Sequence, residues 1–69
     1  MSQLYDAVQR VDELIRTSGK SDKERIQAKG QIAIKAGFML ASITEQSPEN
    51  PAKLASLRAA VRSVLGQEL

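Results

Sequence analysis

Apolar residues recur along this chain at helical spacing, and nowhere at the alternating spacing of a strand. Leu4, Ala7, Val8, Val11, Leu14 and Ile15 form one stripe and predict a helix over residues 3–18. Ser2 is suited to cap its start, and Gly19 to follow its end. Asp6 with Arg10 and Asp12 with Arg16 are acid-before-base pairs four apart, each a small stabilising contact on the wet face.

The second helix has the clearest local start. Ser21-Asp22-Lys23-Glu24 reads as a capping box, in which the serine hydroxyl accepts from the Glu24 amide and the glutamate reaches back. Asp22 adds negative charge beside the positive end of the helix dipole. The periodicity then continues to Gln46. This predicts a central helix over 22–46, roughly 39 Å long. Gly30 and Gly37 interrupt it, each at about 1 kcal/mol relative to alanine, and are the places where it could kink or divide. Asn50 as cap and Pro51 in the first turn predict a third helix over 51–65. Its stripe is Leu54, Leu57, Val61, Val64 and Leu65, and Gly66 ends it. With two short connections, the expected fold is an all-α, three-helix antiparallel bundle in one domain spanning 1–69.

The central helix is apolar on two sides. Ile26, Ile32, Ala33, Ala36, Met39, Leu40 and Ile43 make its main face, and Gln27, Gln31, Lys35, Ser42, Glu45 and Gln46 the opposite strip. Ile34 and Phe38 fall in or beside that polar strip. One explanation is that the long helix is sandwiched between the other two around residues 32–41. The other is a surface of Ile34, Gly37, Phe38 and Ala41 that meets a second subunit or a protein partner. Ala33, Gly37 and Ala41, four apart, would let another helix approach closely, whether from this chain or from outside.

Composition narrows the chemistry. With 69 residues the core is small, and small domains compensate with disulfides, a metal, oligomerisation or very regular packing. Cysteine and histidine are absent, which removes disulfides, thiolate ligands and imidazole, and leaves carboxylates alone to hold a metal. No cofactor, metal or small-molecule substrate is expected. Without His or Cys the remaining candidates for catalysis are carboxylates, lysines, hydroxyls and the single Tyr5, and no catalytic residue is assigned. No secretory leader is apparent in residues 1–16, which carry five charges. The longest apolar stretch, Ile32 to Ile43, is short of the ~20 residues that span a bilayer. These features lead to the expectation of a soluble, cytoplasmic protein with no membrane partner.

The net charge of +2 does not by itself select a partner. Lys20, Lys23, Arg25, Lys29 and Lys35 nevertheless outnumber Asp22 and Glu24 in one stretch. Lys20, Lys23, Arg25 and Lys29 are therefore a candidate basic surface, although no aromatics interleave with them for base stacking. A solvated charged face is the better reading, in which the stems of Arg25 and Lys29 cover apolar surface and their heads pair with Asp12 or Glu13 on the first helix. Arg58 and Arg62 form a solvated outer pair on the third. Ser18-Gly19-Lys20-Ser21 lacks the earlier glycine and the preceding strand of a phosphate-binding loop.

Pro48-Glu49-Asn50-Pro51-Ala52-Lys53-Leu54-Ala55-Ser56-Leu57 resembles the bend between helices in type III secretion needle subunits. Only eighteen residues follow Pro51, short of the long C-terminal helix with which those subunits polymerise, and no family is assigned from it. The function expected is a non-enzymatic helical interaction module, such as an adaptor, chaperone or regulatory subunit, whose first partner is a second copy in a homodimer or else another helical protein. The alternatives are a small nucleic-acid-associated regulator using the basic start of the second helix, and a structural subunit of a larger assembly.

Overall fold

The computed structural model describes residues 3–37, 40 and 51–69. Three helices form an all-α bundle: α1 (Gln3–Arg16), α2 (Asp22–Ala36) and α3 (Pro51–Leu65). α2 and α3 pack most closely. Lys29 of α2 reaches back to Asp12 of α1 at 3.1 Å, as the antiparallel hairpin requires.

α1 forms where its apolar stripe predicts. Leu4, Val8, Val11, Leu14 and Ile15 are buried, and Ala7 packs against the same core. It ends at Arg16, two residues before the predicted end, in a turn whose carbonyls accept from backbone amides and from side chains. The Thr17 hydroxyl donates to Glu13 O at 2.9 Å and the Ser18 hydroxyl to Ile15 O at 2.6 Å. Gly19 then turns the chain at φ +77°, a conformation that glycine adopts without a Cβ penalty. The ion pairs differ from those expected four apart: Arg10 pairs with Glu13 at 3.2 Å, and Asp12 turns to Lys29. The predicted cap Ser2 lies outside the described residues.

The capping box of α2 is present in both directions. The Glu24 amide donates to the Ser21 hydroxyl at 3.3 Å, and the Ser21 amide donates to Glu24 Oε1 at 3.1 Å. The Ser21 amide first, then its hydroxyl, hold the Glu24 carboxyl below its ordinary pKa, and Lys20 adds a smaller push in the same direction. A depressed folded-state value means this contribution is present above the ordinary glutamate range and is lost as pH falls through the folded value. Ser21→Ala is expected to destabilise the fold by about 1 kcal/mol. Glu24→Gln should remove part of the acid sensitivity of unfolding at and below the ordinary glutamate range. Equal melting temperatures for wild type and Ser21→Ala would show that the cap contributes nothing.

α2 does not run to Gln46. It ends at Ala36, where Gly37 adopts φ +77°, ψ +22° and its amide donates back to Ala33 O and Ile34 O. This is a left-handed C-cap, and a helix cannot continue through it in register. Gly30, by contrast, sits within the helix. The shorter helix changes which face is buried. Ala28, Ile32, Ala33 and Ala36 face inward, whereas Ile26, placed on the main face by the sequence, is 73% exposed. In an unbroken helix Ala33 and Leu40 fall about 20° and 40° from Ile26, which is what sets Ile26 on the predicted face. Once the helix stops at Ala36, its buried line is Ala28–Ile32–Ala36, and Ile26 lies about 120° round from Ile32. Leu40 is still buried in the core; Met39 and Ile43 lie outside the described residues.

α3 buries Leu54, Leu57, Ala60 and Val61, and Val64 and Leu65 pack partly against the core. Gly66, at φ +69°, closes the helix by donating to Arg62 O at 3.0 Å. The chain then folds back, with Leu69 on the core and Glu68 3.6 Å from Arg62. The predicted cap Asn50 lies outside the described residues. Among the described residues no polar or charged side chain is buried, so the centre is wholly apolar.

Candidate interaction surface

The outward side of α2 carries the apolar residues that this bundle leaves uncovered. Its inward line is Ala28, Ile32 and Ala36, so the opposite side is centred close to Ile34, flanked by Lys23, Gln27 and Gly30, with Ile26 at one edge. Ile34 is 81% exposed, and it and Ile26 are the only large hydrophobic side chains exposed among the described residues. Gly30 lies between them, one turn from each. A Cβ built on Gly30 would meet nothing within 4 Å, so no neighbouring side chain in the bundle demands a glycine there.

Of the predicted interface residues, Ile34 is placed outward as expected, and Gly37 is exposed but serves as the cap of α2. Phe38 and Ala41 lie outside the described residues. Ala33 is only 5% exposed and packs in the core, so its small size serves internal packing. Because α2 stops at Ala36, Ile34 is not sandwiched between two helices of its own chain. The sequence places Ile26 on the buried face and offers Gly30 only as one of several small residues bearing on close approach of another helix. The available signal was Gly30 itself, a glycine in a helix interior with no turn to make.

Two of the four predicted basic residues are ion-paired within the bundle. Arg25 is paired with Asp22 on its own helix, and Lys29 with Asp12 on α1. These are the carboxylates that offset two of the four positive charges. Lys20 lies beside Glu24 in a cleft with Gln27, Ala28, Gln31 and Val64, which leaves Lys23 exposed on the outward side.

Between α1 and α2 an open groove of about 470 Å³ has Ile15 and Ile26 as its apolar walls. Asp12, Lys29, Asp22 and Arg25 form its ion-paired rim, and Arg16 stands at one end. Ile26 thus belongs both to this groove and to the outward strip. Among the described residues no group of three or more His, Cys, Asp or Glu could hold a metal ion, and no helix is long and apolar enough to cross a membrane. No protein-family model, curated protein or solved structure matches the chain.

Proposed function

We propose that this chain is a non-enzymatic helical interaction module that works by burying the outward face of α2 against protein, and that its first partner is a second copy of itself. The observation that carries this reading is Ile34, 81% exposed near the centre of the side of α2 that faces away from the core. A single exposed isoleucine is ordinary on a protein surface. Here the two large exposed apolar residues among those described share one helix, one turn either side of a glycine.

Magnitudes set the kind of association to expect. Covering one isoleucine is worth about 1.5–3 kcal/mol, so two on each of two copies contribute on the order of 6–12 kcal/mol before costs. Loss of translational and rotational freedom opposes this by roughly 4–15 kcal/mol. The balance favours a reversible, concentration-dependent dimer over a permanent one. The nucleic-acid reading loses ground, because Arg25 and Lys29 already face carboxylates.

Ile34→Glu tests the proposal. The side chain is exposed, so helicity by circular dichroism should be unchanged. The variant should sediment as a monomer at concentrations where the unaltered chain forms dimers. If Ile34→Glu associates as strongly as the wild type, the outward face is not the surface used.

A further inference from the structure

We infer that the second copy lies antiparallel across α2, with the twofold axis passing beside Gly30. This rests on the reading of the outward face as an interaction surface, and it adds the register and polarity of the contact.

The spacing of the face is its own inverse. Lys23 and Ile26 stand seven and four residues before Gly30, and Ile34 and Gly37 stand four and seven after it. A twofold axis at Gly30 therefore sets Ile26 of each copy against Ile34 of the other, twice over, as an isologous contact requires. It also sets Lys23 of each copy beside the Gly37 end of the other α2. A helix C-terminus carries partial negative charge, so the lysine is well placed there. A parallel arrangement would instead bring Lys23 against Lys23 and align the two helix dipoles. Gln27 and Gln31 are exposed along one flank, and Gln31 of each copy comes within about 3 Å along the axis of its counterpart, where amide side chains can hydrogen-bond across the contact.

Gly30 is the second, independent observation. Its φ is not positive, so the backbone does not need glycine there. Among the described residues, none would come within 4 Å of a Cβ at this position. A helix interior pays for glycine in stability relative to alanine, and neither conformation nor internal packing explains its presence here. A close crossing of two helix backbones does. The Cα atoms at the axis would then stand within the range that a disulfide can bridge.

The chain contains no cysteine, so single cysteines report the register without background. Mild oxidation then traps the positions that lie together. An equimolar mixture of Ile26→Cys and Ile34→Cys should cross-link to each other, while either alone should not, because like positions lie about 12 Å apart along the axis. Ser63→Cys, exposed on α3, is the control for random collision. Helicity confirms the fold of each variant, and sedimentation of the unaltered chain is run alongside. Dimers with strong Ile26–Ile26 or Ile34–Ile34 cross-links would overturn the antiparallel register and leave the interaction surface standing. A chain that stays monomeric, with every variant cross-linking no faster than Ser63→Cys, would overturn both.

Discussion

Leu57→Ala is expected to leave much of the chain unfolded at 25 °C. Leu57 is 0% exposed and lies on α3, which makes the closest packing in the bundle, against α2. Truncating a buried leucine to alanine typically costs about 2–5 kcal/mol, from lost transfer energy and from the cavity left behind. A single core in a domain of this size rarely supplies more than about 3–5 kcal/mol in total. The substitution therefore removes most or all of the margin. The rest of the core does not reshape easily, since Ile32 and Val61 in the same cluster are themselves fully buried. The check is a urea titration followed by far-ultraviolet circular dichroism. A folded baseline at zero urea with an unshifted midpoint would mean that Leu57 is not at the centre of the core.

The second large effect is a contrast between two glycines. Gly37→Val should destabilise the fold by about 1–2 kcal/mol, because a side chain in the left-handed conformation crowds the carbonyl that follows, and valine is branched as well. Gly30→Ala should act in the opposite sense, stabilising the monomer by up to about 1 kcal/mol through helix propensity alone. The same Gly30→Ala should weaken self-association, because the added methyl keeps the two helices apart. Melting temperatures measured at low concentration, with sedimentation at high concentration, separate the two effects. Equal destabilisation by both substitutions would mean that the two positions have the same backbone role.

That contrast also marks how far the sequence could be read. The starts and stops visible as local chemistry are correct: the Ser21–Glu24 box, Pro51 in the first turn of α3, and Gly66 after its end. The α1 stripe is likewise correct, because five strongly apolar residues leave no second way to orient that helix. The end of α2 is different. Gly30 and Gly37 look alike in a continuous periodic pattern, and what separates them is the left-handed backbone at Gly37, which no neighbouring residue announces.

The other differences follow from that one or from weak signals. Ile26 reads as core because it shares a face with Ala33 and, in an unbroken helix, with Leu40. Ala28 and Ala60 are buried without having been singled out, since alanine is nearly indifferent to burial and a periodic pattern registers it poorly. The Asp12–Lys29 pair across the hairpin is as the sequence leads one to expect, and it takes Asp12 in place of the Arg16 partner four residues on. Of the candidate site, Ile34 was readable as an apolar residue in a polar strip, and the structure leaves it uncovered. Its pairing with Ile26 about Gly30 became visible only once the helix had its proper length.

The most direct test of self-association through α2 is the mass of the unaltered chain by sedimentation equilibrium across a wide range of concentration. The expected result is a reversible rise from the mass of one chain to that of two, with no larger species, as a closed twofold contact requires. A mass that stays at one chain throughout would contradict it, and one that keeps climbing past two would contradict the twofold contact.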